Sequence, residues 1–218
     1  MGRIDLHMHT FLSDGELLPA ELARRAEELG HDAIAITDHV GPSNLDWVLE
    51  RVTKAADRLN KNMNLRIVPG VELTHIPLTL IPELAQKAKE EGAEIVVVHG
   101  ETIVEPVPPG TNLSALNCED VDVLAHPGVL TLEEAEIAAE TGTLLELTSR
   151  DGHCLTNGRV ASLALETGAK LVVNTDAHAP EDIITQEEAR AIAIGAGLGE
   201  DLLENVLEEN PKELLGGT

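Results

Sequence analysis

Arg3 to Gly15 reads RIDLHMHTFLSDG. Successive side chains of a β-strand alternate faces, so in an extended Arg3–His9 stretch His7 and His9 point the same way and Met8 the other. Two imidazoles side by side at a strand end can chelate one metal ion. Asp14 follows in a Ser-Asp-Gly turn, so the question is what the remaining strands bring to meet these groups.

The rest of the chain repeats a strand and a helix. Pro19 opens a helical pattern with Leu22, Ala23, Ala26 and Leu29 on one face, closed by Gly30. DAIAIT (32–37) is a short apolar run followed by Asp38-His39, and a long amphipathic stretch spans 45–60. LRIVPGVE (65–72) predicts a third strand and 81–91 a helix. EIVVV (94–98) ends at His99. The irregular stretch from Gly100 to Gly110 holds three prolines and reads as an ordered lid or rim. A helical turn at 112–117 leads to VDVLA (121–125) and His126-Pro127-Gly128. Helix 132–141, strand TLLEL (143–147), helix 157–167 and strand KLVVN (170–174) follow, the last ending in Thr175-Asp176-Ala177-His178. Two terminal helices are predicted at 185–195 and 200–209.

Gly30, Gly92, Gly142 and Gly168 each sit just before the next apolar strand, as helix-terminating glycines do. Short apolar strands alternating with helices imply a parallel sheet buried on both faces. Seven strands are predicted with no linker between them, so one domain is expected over residues 1–218. A doubly wound open sheet concentrates its chemistry at one switch point, whereas a barrel gathers it from the C-terminal ends of many strands. Here His7 and His9 end the first strand, Asp38-His39 the second, Glu72 the third, His99 the fourth, His126 the fifth, and Asp176 and His178 the seventh. Six of the nine histidines at strand exits therefore argue for a barrel rim. His31 precedes the second strand, on the opposite rim, and reads as surface structure.

Composition bounds the partners. Thirty-nine acidic against fifteen basic residues give a formal net charge of −24, which repels nucleic acid and anionic membranes. With one Phe, one Trp and no Tyr there is little to stack bases on, which counts against long nucleic acid. Two cysteines, Cys118 and Cys154, make no disulfide framework and read as structural. No charged-then-apolar leader and no run of about 18 apolar residues occurs, so a cytosolic protein without membrane attachment is expected.

His7-Met8-His9, the Ser13-Asp14-Gly15 turn, Ile36-Thr37-Asp38-His39, Gly70-Val71-Glu72, His99, His126-Pro127 and Asp176-Ala177-His178 together resemble the PHP (polymerase and histidinol phosphatase) family, in particular its small stand-alone members. Each piece alone is weak; the ordered set, running from Ile4 to about Pro211, is specific. The resemblance implies a distorted (β/α)7 TIM-like barrel of the α/β class and two or three divalent ions, zinc, manganese or iron. Carried over by position, His7, His9, Glu72 and Asp176 would hold one ion, Glu72 would bridge to a second held by His99 and His126, and Asp14, His39 and His178 would hold a third. Asp14 stands where some members have histidine.

Mixed imidazole and carboxylate ligation suits zinc, manganese or iron over magnesium. Such ions would make the pocket locally positive within an acidic protein and admit a phosphate. The implied activity is hydrolysis of a small phosphomonoester, histidinol phosphate being the candidate supplied by the family label, through a water acidified between metal ions and attacking phosphorus in line. Nucleotide phosphodiesterase or exonuclease activity is the alternative within the family, and a non-catalytic metal-binding module the alternative outside it. Asp176 and His178 are expected in the catalytic centre. Arg150 reads either as a fork for a phosphate oxygen or as half of a surface ion pair. His153 is a candidate for substrate contact or for protonating the leaving group. His75, three residues past Glu72, is a weaker candidate, Asp38 a group that orients its neighbour, Asp5 a residue sharing the inward parity of His7, and Glu101 and Thr102 rim contacts.

Overall fold

In a computed structural model that describes residues 2–216, each apolar run becomes a strand of one parallel sheet. The strands are β1 (Arg3–Met8), β2 (His31–Ile36), β3 (His39–Val40), β4 (Arg66–Leu73), β5 (Ile95–His99), β6 (Val123–Ala125), β7 (Leu144–Thr148) and β8 (Leu171–Asn174). Their order is β1-β2-β4-β5-β6-β7-β8, which is the expected seven-strand wall. The two-residue β3 lies off this path and pairs with Glu72 and Leu73 of β4, holding His39 beside Glu72. Helices α1 (Pro19–Glu28), α2 (Leu45–Leu59), α3 (Ile81–Glu90), α4 (Thr111–Leu116), α5 (Leu132–Thr141) and α6 (Asn157–Thr167) fill the crossovers, and α7 (Gln186–Gly195) and α8 (Asn210–Leu214) follow β8.

Local chemistry sets these boundaries. Proline opens α1 and stands in the first turn of α3, where its missing N–H costs nothing. Thr131 with Glu134 and Thr185 with Glu188 form reciprocal caps that satisfy the first amides of α5 and α7. Gly30, Gly92, Gly142 and Gly168 all take positive φ at helix exits, as their positions in the sequence imply. The predicted helix over 200–209 is not a continuous α-helix. A 3-10 turn at Glu200–Leu202 leads into a wide π turn at Asn205–Glu209 and then α8. Pro211 explains the widening, because it can donate no hydrogen bond to the preceding turn and its ring crowds the carbonyl four residues back.

Strand alternation divides the core. Ile4, Leu6, Ala33, Ala35, Val68, Ile95, Val97, Val123, Ala125, Leu144 and Val172 fill the barrel, with Leu214 and Leu215 packed against them from the C-terminal segment. Ile34, Ile36, Val71, Val96, Val98, Leu124, Leu145 and Val173 face outward into the layer beneath the helices.

β1 breaks this alternation. Asp5 pairs with Ile34 and Met8 with Ile36, so three steps on β1 match two on β2, the signature of a bulge. The extra residue lets Leu6 enter the apolar interior while His7 also turns into the barrel mouth. The parity argument that put Asp5 on the face of His7 therefore fails. Asp5 lies in the seam between β1 and β8, accepting from Arg3, the His7 amide and the Thr175 amide.

That seam is closed by few backbone bonds. Asp176 N donates to His7 O at 2.9 Å and His9 N to Ala177 O at 2.9 Å, level with the site. Lower down, side chains substitute: Asn174 Oδ1 accepts from Leu6 N at 2.9 Å, and Arg3 Nη2 donates to Val173 O at 3.2 Å.

His31 is not at the surface. It begins β2, is buried, and its Nδ1 lies 3.0 Å from Ala26 O, so burial draws its pKa below the ordinary value. Cys118 and Cys154 are free thiols. Among the described residues no helix is long and apolar enough to cross a membrane.

Candidate metal centre

Seven of the eight strands place polar residues at their C-terminal ends over the same barrel mouth. His7 and His9 leave β1, His39 comes from β3, Glu72 from β4, His99 from β5, His126 follows β6, Glu146 comes from β7, and Asp176 and His178 follow β8. His7 and His9 Nε2 are 3.0 Å apart. His7 Nε2 lies 3.3 Å from Glu72 Oε1 and 3.6 Å from Asp176 Oδ1, and His9 Nε2 lies 3.0 Å from Asp176 Oδ1. His126 Nε2 stands 3.8 Å from Glu72 Oε1 and 3.6 Å from Asp176 Oδ2. One flank holds the more exposed group: Asp14 Oδ1 is 3.2 Å from His178 Nε2 and 3.5 Å from His39 Nε2.

Donor atoms within 4.8 Å of one another define three sets here: His7, His9 and Asp176; His7, Glu72 and His126; and His9, Asp14, His39 and His178. Eight of the nine positions carried over from the family pattern thus converge, with His9 joining the Asp14 group. His99 adjoins this set, its ring centroid 4.5 Å from that of His126. Its Nε2 faces Glu105 Oε2 at 3.1 Å and groups with His75 and Glu105 rather than with Glu72. His153 joins His126 and Asp176 in a further set.

Hydrogen bonds on the far ring nitrogens fix how several imidazoles present themselves. His7 Nδ1 donates to Glu146 Oε2 at 2.8 Å, His178 Nδ1 to Asp176 O at 2.8 Å, and His99 Nδ1 to Gly100 O at 3.2 Å. Each bond places the proton on Nδ1 and leaves the Nε2 lone pair for a cation. Glu146 also accepts from the His126 amide and from Asn174 Nδ2. Sequence reasoning missed it, although a lone acid in the apolar strand TLLEL was a signal of the kind that exposed Glu72.

The electrostatics call for positive charge. Burial, reinforced by Glu72 and opposed by His7, pushes the Asp176 carboxyl up to about 7. His7 is raised despite its burial, because Glu146, Glu72 and Asp176 surround it. Burial lowers His9 and His126, each further depressed by neighbouring imidazoles. Glu72 Oε1, Asp176 Oδ1 and His126 Nε2 are buried without a hydrogen-bond partner, an expensive state unless a cation takes their lone pairs. The residues fit divalent metal ions of the zinc or manganese type.

Around this set, several expectations resolve differently. Asp38 does not orient His39; its carboxylate accepts from Thr10 N, Thr10 Oγ1 and Ser13 Oγ, each at 2.7 Å, and so fixes the turn that carries Asp14. His39 is held instead by Asn44, whose Nδ2 donates to its carbonyl, and by Thr74 Oγ1, 2.7 Å from its Nδ1. Glu101 and Thr102 are not rim contacts. Glu101 clamps the amides of Gly110 and Asn112, and Thr102 is buried. Arg150 Nη1 donates to Asp182 Oδ2 at 3.1 Å, and the same oxygen accepts from the amides of His178 and Ala179.

Residues 5–149 match the family model described as the PHP domain. The chain belongs to the PHP family. Among relatives of this PHP protein, an uncharacterized protein of Methanocaldococcus jannaschii is 55% identical over 98% of both chains. DNA polymerase/3'-5' exonuclease PolX of Bacillus subtilis is 32% identical over 82% of this chain and 35% of its own length. A probable phosphatase of a Thermoanaerobacter species is 30% identical over 97% of this chain and 94% of its own. The barrel superposes on histidinol phosphate phosphatase of Lactococcus lactis, solved with zinc, L-histidinol and phosphate, at a TM-score of 0.64. That match covers 90% of this chain and 94% of the other at 18% identity, and shows the shared fold.

Proposed function

We propose that this PHP protein is a metal-dependent phosphoesterase that hydrolyses small phosphomonoesters. The observation that carries the reading is the convergence of eight strand-end donors on one mouth, with buried lone pairs on Glu72, Asp176 and His126 left for cations. Two or three divalent ions, when bound, supply a water acidified from about 15.7 towards neutrality and neutralise charge on the phosphate oxygens.

The protein's own groups do the rest. His7, His9, Glu72, His99, His126 and Asp176 would hold the inner ions, and Asp14, His39 and His178 the outer one. Glu146 keeps His7 in the tautomer that ligates. His153, grouped with His126 and Asp176, stands where it can protonate a departing alkoxide. Arg150, through Asp182, steadies the turn that presents His178. Free thiols and an acidic surface suit a cytosolic setting and a small phosphorylated substrate rather than long nucleic acid. The PolX relative supports a second reading, a phosphodiesterase acting on nucleotides.

A phosphate-release screen decides between them, run over sugar phosphates, histidinol phosphate, nucleotides and short oligonucleotides with zinc, manganese and iron varied. Turnover of monoesters alone supports the first reading, and cleavage of oligonucleotides the second. His7→Ala and Asp176→Ala are each expected to abolish hydrolysis and reduce bound metal. Full activity in either would remove the site assignment.

A further inference from the structure

Three non-glycine residues among those described have positive φ: His126 at 26°, Asp176 at 53° and His75 at 52°. Such backbone is strained and persists where a function requires the side chain's direction. His126 and Asp176 carry donors of the metal centre. His75 aims instead at a carboxylate that the lid brings to the mouth.

That carboxylate is Glu105. Its Oε2 lies 3.2 Å from His75 Nε2 and 3.1 Å from His99 Nε2, and its Oε1 lies 3.5 Å from His153 Nε2. His99 and His153 both stand beside His126 of the metal centre, with ring centroids 4.5 and 4.4 Å from it. Glu105 is therefore at the open edge of that centre, among three imidazoles. His99 Nδ1 donates to Gly100 O, so its Nε2 turns a lone pair towards Glu105. Imidazole and carboxylate both ligate zinc-type ions, so an ion held by His99 is one that Glu105 can share. A phosphate oxygen needs the same partners, a cation and imidazole N–H groups, that here serve Glu105.

Glu105 differs from the other acids of the mouth in how it is held. Glu72 and Glu146 lie on strands and are buried, whereas Glu105 is partly exposed on the Gly100–Gly110 segment. The base of that segment is fixed. Glu101 N donates to Asn112 Oδ1, Glu101 Oε1 accepts from the amides of Gly110 and Asn112, and Asn112 Nδ2 donates to Pro127 O. The tip rests on lighter contacts. Ile103 and Val104 are half-exposed, and Val104 packs where a Cβ on Gly152 would meet its Cγ1 at 3.3 Å. A firm base with a lightly held tip lets Glu105 leave the mouth while the barrel stays folded.

We propose that Glu105 is the lid's own surrogate for substrate phosphate: it fills an anion place formed by His75, His153 and the edge of the metal centre at His99, and an incoming phosphate enters by displacing it. The proposal takes the identity of the anion from the phosphoesterase reading. It makes His75 a substrate-binding residue and gives its backbone strain a reason.

The test uses the full chain, loaded with zinc and freed of excess by gel filtration, with inorganic phosphate as the probe in a calorimetric titration. Glu105→Gln keeps the side chain's shape and removes the competing charge. It should bind phosphate about tenfold more tightly than the wild type, the gain expected if Glu105 fills the place about 90% of the time. Equal or weaker binding would overturn the proposal. Adding His75→Gln to that variant should weaken phosphate several-fold, and no loss would overturn the role of His75. Metal counted per chain should be the same in Glu105→Gln as in the wild type, because the centre keeps its other ligands; a missing ion would make Glu105 a holding ligand and sink the exchange. A measurement on the unmutated chain stands beside these. Phosphate should speed hydrogen exchange of the Ile103, Val104, Glu105 and Val107 amides several-fold, and unchanged or slower exchange would overturn displacement of the lid. Binding is read without turnover, so the two readings fail separately. A wild type that hydrolyses no ester yet shows these responses would sink the phosphoesterase reading and leave the gate standing. An active enzyme whose Glu105→Gln variant binds phosphate no better would do the reverse.

Discussion

Glu146 shows how much a single buried carboxylate controls. It accepts the Nδ1 proton of His7, which leaves the Nε2 lone pair free for a cation. Glu146→Gln nearly preserves volume but lets the amide present N–H to that ring and reverse the tautomer. Metal affinity should fall about 10–100-fold, with the fold retained; competition against a chelator of known affinity measures it, and unchanged affinity would remove Glu146 from the centre. His31 offers a second test away from the metals. Burial depresses its pKa, so the unfolded chain takes up the proton more readily. Its contribution to stability is fully present above the ordinary value of about 6.5 and is lost as pH falls through 6.5 towards the lower folded value. His31→Gln should leave hydrolysis unchanged and flatten the decline of melting temperature between about pH 7 and 5. A decline as steep as the wild type's would show that His31 does not titrate on unfolding.

At the scale of elements, what was legible in the sequence followed period and punctuation. Apolar runs gave the seven strands, and glycines their boundaries, because each depends on residues close in the chain. The bulge in β1 was not legible: it arises from pairing with β2, and nothing local to Asp5 announces it. The π turn before α8 was readable in principle from Pro211. Asp14 and Asp176 could be placed by their strand ends, whereas Glu105, one acid among thirty-nine, reaches the rim only because the lid folds back over β5. The base of that lid yields its own prediction. A Cβ on Gly128, whose φ is 66°, would fall 1.8 Å from Glu101 O. Gly128→Ala should therefore cost about 2–4 kcal/mol, combining backbone strain with overpacking, and loosen the lid clamp. Urea titration measures the loss, and a change below about 0.5 kcal/mol would show that the clamp can yield.

For the whole molecule, the net charge of −24 and the buried carboxylates of the centre act in the same direction. Ions that bind the folded state and not the unfolded chain stabilise it by mass action. Removing them leaves Glu72, Glu146 and Asp176 mutually repelling within the barrel. Chelation should lower the melting temperature by about 10 °C or more, since several kcal/mol of linkage are involved. Added sodium chloride should partly restore it by screening the surface charge. A melting temperature indifferent to chelator would mean that the centre binds no metal of consequence.

The seam between β1 and β8 has a consequence in time. Its partners, His7 with Asp176 and His9 with Ala177, are separated by about three quarters of the chain. At synthesis rates of about 5–20 residues per second, His7 is made roughly 8–34 seconds before Asp176 exists. Pairings of such long range form slowly. During that interval the first strand carries two exposed imidazoles and no closing partner, so the nascent chain can capture a metal ion only in a partial site. Completion of the candidate centre is thus coupled to the last β/α unit, and any metal it takes would be loaded late in biosynthesis.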